Sequence, residues 1–212
     1  MNLPNKITLI RIVLIPFFLA TYMLNRYGDY FIYIAAGLFV LASLTDFLDG
    51  HIARKYNMVT DMGKFLDPIA DKVLVAAALF LIIGYGLTPA VWGVSFVTVI
   101  IGREFMVSAL RQVAAAKGKV IAADKIGKWK TAVTMVAIVA VLIATPLDWA
   151  IRRIRGGNVI PDGQSFETYG VFQWIGFCGL VLAVVLTVIS GVHYVLKNRK
   201  VFREDEKMKD EK

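Results

Sequence analysis

The chain has 212 residues, 58% of them hydrophobic, with 24 Lys and Arg against 16 Asp and Glu and a net charge of +8. That apolar share and the positive mean hydropathy exclude an ordinary soluble domain and point to a polytopic membrane protein. The bases are scattered among apolar runs, which disfavours nucleic acid as a partner and suits anionic headgroups and phosphorylated substrates.

Residues 2–6 form a short polar interfacial segment, without the basic region and small-residue cleavage site of a secretory signal. Residues 7–24 are the first apolar span. Thr8 and Arg11 interrupt it one turn apart, on one face, and neighbouring helices accommodate Pro16. A turn at 26–29 leads to the second span, 30–56. The third span is 61–85. Its Pro68 fits the first turn of a helix, where the missing N–H is harmless, and so sets Asp67 near a positive helix end. After a turn at 84–89, the fourth span (90–112) carries Arg103, Glu104 and Arg111 in its later half. A polar connection (113–127), a fifth span (128–144), a polar loop (145–168) and a sixth span (171–196) follow. The mixed-charge end, 197–212, has no assigned chemistry. Cys178 is the single cysteine and forms no internal disulfide.

The expected fold class is therefore all-α, with six transmembrane helices and the short interfacial N-terminal segment. Residues 1–200 are one membrane domain, and 201–212 are a charged cytoplasmic tail. Six spans put both termini on one side, and that side holds 20 of the 24 Lys and Arg; Arg26, Arg152, Arg153 and Arg155 are opposite. The rich side is cytoplasmic by the positive-inside rule, in a cell (inner or plasma) membrane.

Between the second and third apolar runs lies the pattern D-x2-D-G-x2-A-R-x8-G-x3-D-x3-D, from Asp46 to Asp71. Asp46, Asp49, Gly50 and Ala53 fall at i, i+3, i+4 and i+7 and share a helix face; Asp67 and Asp71 share another. Carboxylates that close to hydrocarbon need counter-charge. Lys55 and Lys72 directly follow motif residues and leave the shared faces. Two antiparallel helices joined by a loop at 56–63 bring the four acids together. An all-oxygen site suits Mg²⁺, Mn²⁺ or Ca²⁺ rather than Zn²⁺. His51 is on the wrong face and reads as a rim residue. Gly50 removes a side chain from the pocket, and Arg54, one turn beyond, is placed to meet a phosphate.

All eight fixed positions match the signature of the CDP-alcohol phosphatidyltransferase family, which this stretch resembles. The resemblance implies a membrane enzyme with two Mg²⁺ or Mn²⁺ ions on Asp46, Asp49, Asp67 and Asp71, and with Asp71 also the base. It implies that Asn5, Thr8, Gly50, Arg54, Thr60 and Gly63 hold the CDP-lipid, and that the chain is a homodimer. NLPNKITLIR, REFMVSALR and VIAADKIGKWKT resemble the bacterial phosphatidylglycerophosphate synthase branch. The implied substrates are CDP-diacylglycerol and sn-glycerol 3-phosphate. Asp124 stands where that branch has a small hydroxyl residue, and Thr134 where it has Gln.

Arg103, Arg111, Lys128 and Lys130 gather near the cytoplasmic ends of the fourth and fifth spans. Bases beside an acidic metal site suggest an acceptor that bears a phosphate, and Arg11 joins them as a candidate contact. Positive-inside flanking is the plainer reading of the same residues. Other acceptors remain open: an inositol phosphate, serine, or phosphatidylglycerol as in a cardiolipin synthase. A membrane prenyltransferase would also use membrane aspartates, but shows a D-x3-D pattern twice and needs more spans than this chain supplies; a divalent-cation channel gives Gly50, Arg54 and the basic cluster no role.

Overall fold

The computed structural model describes residues 3–28, 30–55, 61–116, 125–155 and 170–210; at 3–7, 25–26, 46–55, 61–68, 90, 116, 125, 152–153 and 199–210 only the backbone is described. Among the described residues the chain is all-helical. Its helices are α1 (Leu3–Met23), α2 (Tyr30–Lys55), α3 (Asp61–Gly84), α4 (Ala90–Ala116), α5 (Lys125–Ile154) and α6 (Val171–Asp210), with a 3-10 turn at Leu24–Tyr27. Among the described residues three segments are long and apolar enough to cross a membrane: Val91–Ala115, Ile126–Ile151 and Val171–Asn198. α6 has 40 residues, about 60 Å of helix, and so outruns a hydrocarbon core of about 30 Å.

Each helix buries a narrow stripe and leaves large apolar side chains outside. On α1 the stripe is Thr8, Arg11, Ile15, Phe18 and Tyr22, at alternating steps of three and four. Ile10, Val13 and Phe17 face outward, as do Val136 on α5 and Leu182 and Val185 on α6. Hydroxyls on the inner stripes bond to carbonyls one turn back, as in Thr134 to Lys130 and Thr187 to Ala183. Polar residues inside and hydrocarbon outside is the arrangement a lipid solvent selects.

Contacts run from α1 to α2, α5, α6, α4, α3 and back to α1, closing a ring in an order unlike the chain order; α3 also meets α2 and α5 across it. Small residues let α5 and α6 approach closely. A Cβ on Gly176 would come within 3.1 Å of the Val141 backbone, and one on Gly179 would touch Ala137. The turn after α3 is a Schellman motif, with Gly86 at φ 63° and the Leu87 N–H donating to the Ile82 carbonyl.

Several boundaries differ from the sequence reading. α1 begins at Leu3, so residues 3–6 of the polar entry are continuous with the first helix. α3 begins at Asp61, which puts Gly63 in its first turn and Pro68 about two turns in. Asp67 is therefore too far along for the helix end to act on it. α4 runs to Ala116 and α5 begins at Lys125, shortening the polar connection between them. The largest correction is at 145–154, expected as loop. α5 continues through Pro146 to Ile154. Its buried Asp148 accepts a 2.7 Å hydrogen bond from the Gln173 N–H and caps the start of α6. The Gln173 side chain in turn accepts from the Gly170 N–H. That reciprocal cap satisfies the acid that had looked like a loop residue.

Candidate active site

A small cleft of about 30 Å³ opens between α3, α4 and α5. Its polar lining is Asp71 and Lys72 from α3, Glu104 from α4, and Lys130, Thr131 and Thr134 from α5; Ile100, Ile101 and Met135 are among its apolar walls. Lys130 and Thr134 reach it together because they lie one turn apart on the buried stripe of α5. Asp71 lies one residue off the Ala70, Leu74, Ala78 stripe of α3 and is half-buried.

The charges in this region are linked. The Lys130 ammonium is bonded to Glu104 Oε1, and Arg103 Nη1 lies 3.6 Å from that same oxygen. The side chains are 3% exposed for Lys130, 10% for Arg103 and 25% for Glu104, so the carboxylate is the least buried of the three. Arg103 Nη2 donates to Ser190 Oγ on α6 at 2.6 Å. Gly127 and Gly191 leave room for this guanidinium: a Cβ on Gly191 would sit 3.2 Å from Arg103 Cγ, and one on Gly127 would sit 3.7 Å from Nη2.

The remaining sequence candidates fall in several places. Thr8 and Arg11 are fully buried on α1, which packs against α2 and α3. Arg111 is exposed, with its guanidinium 5.5 Å from the centre of the Tyr194 ring. Lys128 is exposed although Lys130 is buried, since two residues along a helix point to opposite sides. Of the five candidate acceptor bases, Lys130 is the one among the described residues that lines the cleft.

The helical register that the motif requires is present. α2 is unbroken through Asp46, Asp49, Gly50, Ala53 and Arg54, α3 is unbroken through Gly63, Asp67 and Asp71, and the two helices touch. The side chains of Asn5, Asp46, Asp49, Arg54 and Asp67, with the Gly50 and Gly63 positions in detail, lie outside the described residues, as do Thr60 and Asp124 entirely. Among the described residues no three His, Cys, Asp or Glu side chains converge.

The profile of the CDP-alcohol phosphatidyltransferase family matches residues 1–189. The chain belongs to that family. It is 44% identical over 207 residues to the CDP-diacylglycerol–glycerol-3-phosphate 3-phosphatidyltransferase of Bacillus subtilis, covering 93% of this chain and 95% of that one. It is 34% identical over 215 residues to the like-named protein of Cereibacter sphaeroides, covering 92% and 95%. A like-named Arabidopsis thaliana protein, the second of its kind there, is 38% identical over 183 residues, covering 82% and 76%.

Two features of this phosphatidyltransferase were not assigned from sequence. Glu104 was visible within REFMVSALR but had no role, because its partners Arg103 and Lys130 belong to two helices. Ser190 sits on α6, beyond the region where the resemblance is strong, and nothing local marks it as the partner of Arg103.

Proposed function

We propose that this chain transfers the phosphatidyl group of CDP-diacylglycerol to sn-glycerol 3-phosphate, giving phosphatidylglycerophosphate and CMP. Relatives so named, covering nine-tenths of the chain, support the reading. The structural observation that carries it is the shared cleft, in which the last acid of the motif and a buried lysine line one space.

Asp71 takes the proton of the acceptor hydroxyl. The freed oxygen attacks the phosphorus bonded to the lipid. The bond from that phosphorus to the CMP oxygen breaks, and CMP leaves with the electron pair. Asn5, Thr8, Gly50, Arg54, Thr60 and Gly63 hold the cytidine diphosphate portion. Lys130 is the principal base for the acceptor phosphate, with Arg103 behind it; Arg11, Arg111 and Lys128 contribute positive field. Asp46, Asp49, Asp67 and Asp71 would hold two Mg²⁺ or Mn²⁺ ions, a fit supported by four carboxylates as a hard, all-oxygen donor set. Bound there, such ions supply neutralisation of the pyrophosphate and polarisation of the phosphorus.

The same reading takes α1, α2 and α3 as spans beside the three long apolar helices, with the cleft facing the cytoplasm. The excess of Lys and Arg on the motif side supports that orientation. Family resemblance supports a homodimer. The test is CMP release from CDP-diacylglycerol in detergent with Mg²⁺, with glycerol 3-phosphate, inositol phosphate, serine and phosphatidylglycerol offered one at a time. Release with glycerol 3-phosphate alone, abolished by EDTA and restored by Mg²⁺, is the expected result. Release with another acceptor would overturn the acceptor assignment.

A further inference from the structure

We propose that the Glu104 carboxylate is a placeholder for the acceptor phosphate: it occupies the anion position on Lys130 and Arg103 in the resting site, and the incoming phosphate displaces it. The inference deepens the acceptor assignment made above and rests on it.

Three observations lead here. One oxygen of Glu104 serves both bases, bonded to Lys130 and 3.6 Å from Arg103 Nη1. That is the position a phosphate oxygen bridging the two bases would take. Glu104 and Lys130 line the cleft and Arg103 does not, and the Glu104 side chain is 25% exposed against 10% for Arg103. An anion entering the cleft therefore meets a carboxylate before it meets the second base. Finally, a phosphate dianion and a fixed carboxylate on the same bases would repel strongly in a site this shielded from water. The conflict is relieved if Glu104 leaves. Its side chain is flexible, a quarter exposed and part of the cleft lining, so rotation about its own bonds moves the charge off the two bases. Arg103 stays behind, held by Ser190.

The exchange makes acceptor binding a competition between two anions. A neutral alcohol brings no charge to replace Glu104, so the site favours phosphorylated acceptors. Removing the competitor should tighten anion binding by about fivefold, the effect of one partly exposed ion pair of about 1 kcal/mol.

The test is calorimetric titration of the purified full-length protein with sn-glycerol 3-phosphate and, separately, with inorganic phosphate, for wild type, Glu104→Gln and Glu104→Asp. Acceptor and CDP-diacylglycerol KM values are measured alongside. The expected result is about fivefold tighter binding of both anions to Glu104→Gln, a parallel fall in acceptor KM, an unchanged CDP-diacylglycerol KM, and an intermediate effect in Glu104→Asp. Unchanged or weaker anion binding in Glu104→Gln overturns the proposal and makes Glu104 a support for Lys130 instead. If Glu104→Gln does not fold, Glu104→Asp decides: tighter binding supports displacement, and unchanged or weaker binding overturns it. If wild type releases no CMP with glycerol 3-phosphate while Glu104→Gln still binds phosphate more tightly, the acceptor assignment falls and the displacement stands.

Discussion

Replacing Lys130 by Met keeps most of the stem in its packed position and removes the ammonium. The Lys130 side chain is 3% exposed and lines the cleft, so water screens its charge weakly. A hydrogen bond to a charged group in such a setting contributes about 1.5–3 kcal/mol. At about 1.4 kcal/mol per factor of ten, the acceptor KM should rise about 10- to 150-fold. The fold should survive, because the carboxylate left behind keeps Arg103 Nη1 3.6 Å away as a counter-charge. The assay is the initial rate of CMP release against glycerol 3-phosphate at saturating CDP-diacylglycerol, then the converse titration. The CDP-diacylglycerol KM should stay within about twofold of wild type, since the residues proposed for the nucleotide lie on α1, α2 and α3 and in the segment joining α2 to α3. An acceptor KM within threefold of wild type, or equal rises in both KM values, would refute the placement of the acceptor phosphate at Lys130.

Asp71→Asn should lower kcat by about 10²- to 10⁴-fold through loss of the base, with an unchanged melting temperature; a fall of less than tenfold removes Asp71 from the chemistry. Asp148→Ala strips the cap from α6 and should cost about 1–2 kcal/mol, seen as a lower denaturation midpoint in detergent with both KM values unchanged. A normal midpoint would contradict the capping role. Gly170→Ala should act in the same direction, because its Cβ would lie 2.2 Å from Asp148 Cγ. Cys178 is exposed on the outer face of α6, so Cys178→Ala should leave rate and melting temperature unchanged, and a large loss of either would mean that this face is buried in an assembly.

The helices, the turn at 84–89 and the helical backbone beneath the motif were legible in the sequence because each depends on neighbours a few residues away. Apolar runs, a Gly- and Pro-marked turn after α3 and carboxylates at i, i+3 or i, i+4 are local patterns, and local backbone geometry converts them into faces and ends. The eight-residue motif carried the family in the same way. The opposite fates of Lys128 and Lys130 also follow from their spacing, although both had been grouped in one basic cluster. Tertiary structure decided everything that depends on a distant partner. Pro146 and the charges after it read as loop until the buried Asp148 is paired with a backbone N–H on α6, 25 residues later. Arg103 gains its anchor only when Ser190, 87 residues away, takes one of its nitrogens. Glu104 acquires a role only when α4 and α5 bring Arg103 and Lys130 to the same oxygen. The ring order of the helices sets these meetings. Nothing in the hydropathy of six similar apolar runs specifies that order, because runs of equal hydrophobicity satisfy a lipid solvent equally well. It is chosen by the small and polar residues on the inner stripes and by which of them fit together.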